Sequence, residues 1–267
     1  MRIERAAPTV KRNLYSVKMV TYIAEMARKS QVARTRARRA ASKIAASRAV
    51  RKRSAPRAGA SEDAPYHHGA LHDALLEAAE RVLERDGLSG LTLRAVAREA
   101  GVSHAAPTHH FGDLTGLVSE LAAIGFRQFN RAMEVAIAAG NSPVERALAK
   151  AKAYVAYARA HPGMYGLMFR TEWLDMTRPS LHEAAGAAFA GLAGSVGASR
   201  HEQISEQALS LEQAAAIARA WSLVHGFTTL LLDGRLSEIL RLLPKGTDAE
   251  TLLDAMLRVT VGRPSGT

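Results

Sequence analysis

The chain has 267 residues, 48% of them apolar, a formal net charge of +11 and no cysteine. That length suffices for a small domain plus a larger one with its own core, and the cysteine count excludes disulfides and thiolate metal sites. No uninterrupted apolar run reaches the length of a spanning helix and no signal-peptide core follows the start, so a cytoplasmic protein with no membrane partner is expected.

The charge is unevenly placed. Residues 1–65 hold 17 Lys and Arg against 4 Asp and Glu, whereas the other 202 residues hold 19 against 21. The excess belongs to an Ala-, Arg- and Ser-rich arm that closes with Pro56, Gly59 and Pro65 and is expected to be disordered. It reads as a phosphate-binding arm, as a start assigned too far upstream (Met19 and Met26 also lie within it), or as an organellar transit peptide. Residues 263–267 are expected to be a short tail.

A first helix is expected over Leu71–Arg85, where Leu71, Leu75, Ala78, Ala79, Val82 and Leu83 make one stripe, with Gly87 at its left-handed end. From Leu91 to Gly112 the chain reads as two short helices joined by a sharp turn. Thr92 is placed to cap the first, Leu93, Val96, Ala97 and Ala100 recur at helical spacing, Gly101 supplies the turn and Ser103 caps the second. Phe111 anchors its end. Any helical hairpin can carry such features; a helix-turn-helix that enters a DNA groove is the sharper reading.

Further helices are expected over Leu114–Ala138, after a break up to Pro143 over 143–160, and through Met164, Tyr165, Leu167, Met168 and Phe169. Thr171–Ser180 is expected to be a loop carrying Trp173. A helix over 181–197 surrounds Phe189, a polar connection runs from Gly197 to Ser210, and helices span Leu211–Leu232 and Asp248–Val261. Between Arg219 and Asp233 only His225 can carry charge, so that helix must be covered on all sides, by its own core and by a partner.

The residues Tyr66-His67-His68-Gly69, the helix after them and the FGDLTGLVSELA segment make Tyr66 to Leu121 resemble, without a gap, the DNA-binding domain of TetR/AcrR-type transcriptional regulators. Trp221, His225 and Gly226 resemble, over roughly 143–260, the Trp-His-Gly motif of one C-terminal domain in that family. The resemblance implies an all-α protein. Residues 66–113 would form a three-helix helix-turn-helix domain, and 114–262 a helical ligand-binding and dimerisation domain.

It also implies partners and positions. The second short helix would enter the major groove of a palindromic double-stranded operator, with Ser103, His104, Ala105, Ala106, Thr108, His109 and His110 towards DNA. Thr92 and Arg94 would lie on the supporting helix, and Tyr66, His67 and His68 at the start of the first. Thr108 stands where the family usually has a phosphate-gripping tyrosine, and Leu114 where a lysine does the same. An unidentified small-molecule effector would lie against Met164, Tyr165, Met168, Phe169, Trp173 and Phe189, each of which reads equally as ordinary core. Trp221, His225, Gly226, Phe227 and Leu230 would belong to a homodimer interface, with His225 read more simply as a core histidine satisfied by a backbone carbonyl.

Nothing in the spacing points to catalysis or to a cofactor. His104, His109 and His110 make no i, i+4 pair with interleaved carboxylates, and the segment at His182 has Gly186 where a zinc-hydrolase helix needs its second histidine. No enzyme and no metal are therefore expected. The reading is a dimeric, ligand-released repressor. The alternative is a helical ligand sensor acting through a protein partner with weak or lost DNA readout.

Overall fold

A computed structural model describes residues 66–138, 140, 142–205 and 208–261; the readings made for 1–65 and 263–267 lie outside the described residues. Among these residues there are ten α-helices, one 3-10 turn and no strand. The helices are α1 (Tyr66–Gly90), α2 (Leu93–Glu99), α3 (Ala106–Phe111), α4 (Leu114–Ile137) and α5 (Pro143–Ala160). They continue as α6 (Pro162–Met168), α7 (Pro179–Arg200), α8 (Leu211–Leu232), α9 (Ser237–Leu242) and α10 (Ala249–Val261), with the 3-10 turn at Thr171–Trp173.

Local chemistry explains most helix ends. The Thr92 hydroxyl accepts the Ala95 amide at 3.1 Å, the Asp113 carboxylate accepts that of Gly116 at 2.7 Å, and Ser142 with Glu145 and Ser210 with Gln213 form capping boxes. At the end of α2 the Val102 amide reaches back to the Ala97 carbonyl and the Gly101 amide to that of Arg98. This closure requires the left-handed φ of 69° that Gly101 adopts. Gly87 has the same φ and kinks α1, whose assigned span runs past the expected Arg85 to Gly90.

Two expectations are corrected, and one element is new. Ser103 does not cap α3: the helix starts at Ala106, with Ala105 at its N-cap and no side-chain cap bond. A helix begun at Ser103 would ask the Pro107 nitrogen, which has no hydrogen, to bond the Ser103 carbonyl. α7 is longer than expected, from Pro179 to Arg200, where His201 turns left-handed at φ 55°. α9 is an element that periodicity does not announce, since it is only six residues long and follows a glycine turn at Gly234.

One apolar cluster joins α1 (Leu75, Val82, Leu83), α2 (Val96), α3 (Phe111), α4 (Leu117, Leu121, Phe129), α6 (Met164, Leu167, Met168) and Leu181 of α7. The expected boundary at residue 113 is thus no break in packing. Gly125 permits the close approach of α4 to α6, because a Cβ there would stand 2.6 Å from the Met164 sulfur. Two smaller clusters hold α8: Phe227 with Val155, Leu236 and Leu253, and Ala216 and Ile217 with Ala193 and Val196.

α8 is the exception to this burial. It is long and apolar enough, by length and composition, to cross a membrane, yet only 17% of its most apolar stretch is buried within the subunit. Leu211, Leu230 and Leu232 are exposed along it, and Ile239 and Leu242 of α9 are exposed nearby in sequence.

Candidate nucleic-acid interface and the core cluster behind it

α3 divides into two faces. Pro107 and Phe111, four residues apart, are buried, while Ala105, Thr108 and His109 are exposed together with Ser103 and His104 of the lead-in turn. Ala106 is half-buried. The exposed group carries small, hydroxyl and imidazole side chains and no carboxylate. A surface of this kind can approach base edges and phosphates closely.

His110 departs from the expected face. Its ring lies 6.0 Å from that of His72 on α1 and 5.4 Å from that of His109, so it is turned towards the helix behind rather than outward with Thr108. Arg94 is exposed and has no ion pair among the described residues. Thr92 is exposed as well, but its hydroxyl is engaged in the cap. Tyr66, His67 and His68 fall in the first turn of α1.

The first of the two short helices is held against α1 by a clamp at its C-terminal end. Glu99, the last residue of α2, accepts from Arg81 at 3.0 Å and from Arg85 at 2.9 Å. Hydrogen bonds from Arg85 and then Arg81 hold its carboxyl below the usual carboxylate range. The two arginines are exposed and Glu99 is half-buried, so the clamp fixes orientation more than it adds stability.

The core domain joins the helix-turn-helix at Glu84 of α1. Its carboxylate accepts the backbone amides of Met164 at 3.0 Å and Gly163 at 3.3 Å, which caps the start of α6. Four of the six expected effector residues lie together just beyond. Met164, Tyr165 and Met168 are buried, and Phe169 packs at 4.7 Å from the His225 ring. Trp173 and Phe189 are not brought to them: Trp173 is 38% exposed on the 3-10 turn, and Phe189 packs with Ala193, Val196 and Ile217 instead.

His225 sits at the centre of this group. The hydroxyls of Tyr154 and Tyr165 lie 2.8 and 2.9 Å from its Nδ1, and Trp221 borders it at 5.9 Å. Burial pushes the imidazole below the ordinary histidine range, so the cluster is neutral near pH 7. Burial also pushes both tyrosine hydroxyls up, Tyr154 most of all. The expectation of a core histidine satisfied by a backbone carbonyl is therefore corrected at Nδ1, which meets tyrosine hydroxyls instead. Tyr154 is absent from the expected set; its signal is a tyrosine on a helix that also carries Tyr157 one turn on.

The expected interface residues divide in the same way. Trp221 and His225 face inward and Phe227 is 3% exposed, buried within the subunit, so Phe227 is not available at the surface. Leu230 is exposed, and a Cβ placed on Gly226 would meet nothing within 4 Å. Among the described residues no group of three or more His, Asp or Glu is arranged to hold a metal ion.

A capped helix-turn-helix with an open reading face, seated on a helical core, is the build of a DNA-binding regulator. The family model described as bacterial regulatory proteins, tetR family, matches residues 75–121, and the one described as tetracyclin repressor-like, C-terminal domain, matches 147–260. Together they span more than half of the chain, which belongs to the TetR family of transcriptional regulators.

An uncharacterised helix-turn-helix-type transcriptional regulator of Mycobacterium tuberculosis is 29% identical over 211 residues, 78% of this chain and 88% of that one. A solved protein of unknown function from Rhodococcus sp. RHA1 is 32% identical, with a TM-score of 0.59 over 74% of this chain and 97% of that one. The transcriptional regulator FadR of Bacillus subtilis, solved with stearoyl-CoA, is 16% identical with a TM-score of 0.51, covering 72% and 98%. That last likeness is one of fold alone.

Proposed function

We propose that this regulator is a cytoplasmic homodimeric repressor that binds a palindromic operator through α3 and leaves it when a small molecule enters the core. The observation that carries the dimer is α8, an apolar helix that the subunit covers on its inner side only and of whose most apolar stretch it buries 17%. Its outward residues Ala215, Ala218, Ser222 and Gly226 are small, which allows a second α8 to approach closely, with Leu230 beside them. A surface this apolar favours a partner over water.

The effector is proposed to lie against Met164, Tyr165, Met168 and Phe169, with Trp221 and the Tyr154–Tyr165–His225 group as its polar contact. The side chains named are uncharged near pH 7, which suits a neutral, largely apolar molecule with one or two hydrogen-bonding groups. It would release DNA by binding more tightly to the conformer whose two reading helices no longer match successive major grooves. A sensor acting only through a protein partner is less well supported, since the reading face of α3 is open and the helix-turn-helix matches its family.

Selection of duplexes from a random pool by the full chain tests this reading. It should enrich an inverted repeat with half-site centres about 10 base pairs, or a multiple of that, apart. Sedimentation should find two chains on each duplex. Enrichment of a single unrepeated motif bound by one chain would sink the proposal.

A further inference from the structure

One side chain of the core domain reaches the end of the reading helix. Arg178 closes the connection between the 3-10 turn and α7, and its guanidinium forks. Nη2 donates to the Phe111 carbonyl at 3.2 Å, at the last turn of α3, and Nη1 donates to Glu120 of α4 at 3.0 Å. The other oxygen of Glu120 accepts from Nε2 of His72 at 2.9 Å, and the His72 ring packs 4.8 Å from Phe111. The guanidinium thus joins α3 and α4 directly, and α1 through Glu120.

The surroundings are built for this reach. A Cβ on Gly116 would stand 2.5 Å from Nη2 and 2.0 Å from the Phe111 oxygen, so only glycine leaves room for the fork. Ser119, next to Glu120, accepts the backbone amide of Asp175 at 2.8 Å, which ties the same connection to α4 a second time. The core side is less complete. Arg178 Nε is buried without an acceptor, and Asp175 Oδ2 stands 3.9 Å away. A buried donor left unpaired is costly, so the fork holds the side chain in place against that cost.

The other end of the connection lies in the core cluster, since Phe169 packs on His225 and Trp221. We propose that Arg178 is a positioning residue through which the core domain sets the reading helix: movement at Phe169 is carried along residues 170–178 to the Phe111 carbonyl. The inference rests on α3 reading DNA, but it does not depend on what the effector is. Lysine cannot replace the fork, because one ammonium does not span two acceptors in fixed geometry.

Hydrogen exchange of the full-length wild type, Arg178→Ala, Arg178→Lys and Glu120→Gln tests the joint directly. In all three variants the amides of α3 and of Gly112 should exchange faster by about tenfold, while those of α5 and α10 stay as in wild type. Each variant should bind the wild-type-selected duplex about tenfold more weakly and random duplex equally well. Unchanged exchange in α3, equal loosening of every helix, or full rescue by Arg178→Lys would each overturn the proposal. If Arg178→Ala does not fold, the other two variants decide. If wild type selects no sequence, the DNA reading fails, and the exchange of α3 alone judges the joint.

Discussion

α4 and α8 are nearly equal in length and both largely apolar, yet the subunit buries eleven residues of α4 and four of α8. The difference lies in what surrounds them. α4 is met by α1 and α3 towards one end and by α5, α6 and α7 along its length, so Leu117, Leu121, Phe126 and Phe129 all find apolar contacts within the chain. α8 is met on its inner side only, through Ile217, Val224, Phe227 and Leu231. Apolar composition alone predicts coverage, but the source of that coverage, self or partner, follows from the rotation of each helix about its axis.

The contrast is most exposed to test at α4. Leu121 is fully buried, so Leu121→Ala should destabilise the subunit by about 2–5 kcal/mol, read from urea unfolding of the full chain. Leu230→Ala on α8, at 42% exposure, should leave subunit unfolding nearly unchanged at protein concentrations too low for association. Equal losses at the two sites would mean that α8 is as fully supported by its own subunit as α4.

Gly226→Leu sharpens the contrast. A side chain there meets nothing in the subunit and removes a helix-weakening glycine, so helicity should hold. Between subunits the added bulk should weaken association by about 1–3 kcal/mol, seen as a shift from dimer to monomer in sedimentation equilibrium. A dimer as tight as wild type would remove the outer face of α8 from the interface.

The caps give a smaller effect and should separate the two regions less. Ser210→Ala removes half of the box that starts α8, and Ser142→Ala does the same for α5; each should cost about 1 kcal/mol in thermal or urea unfolding. A cost near zero at Ser210 would show that α8 is held in place by its partner more than by its own start.

The smallest expected change is with pH, and it belongs to the inner side of α8. Burial keeps His225 neutral in the folded chain, whereas an unfolded histidine titrates near pH 6.5. Above that value the two states bind the same number of protons at this site. As pH falls below it the unfolded chain takes up a proton that the folded chain resists, so stability declines. His225→Gln keeps a hydrogen-bonding group beside Tyr154 and Tyr165 and should flatten that part of the decline between pH 7 and 5. An identical pH profile would mean that the imidazole is not resisting protonation.

Short-range chemistry is legible in the sequence. Thr92, Gly101 and the spacing of Leu93, Val96 and Ala97 act within one or two turns of a helix, so residue order alone places the two short helices and their turn. The start of α3 is legible too, once Pro107 is weighed above Ser103. The tertiary structure alone decided what meets across distance. Tyr154 and Tyr165 reach His225 from 71 and 60 residues away, and Arg178 reaches Phe111 across 67. It also turned Trp173 and Phe227 to opposite fates, one towards solvent and one into the subunit. Periodicity states which residues share a face of a helix. Which neighbour that face meets depends on crossing angles and axial rotation, and these come from the packing of all the helices at once.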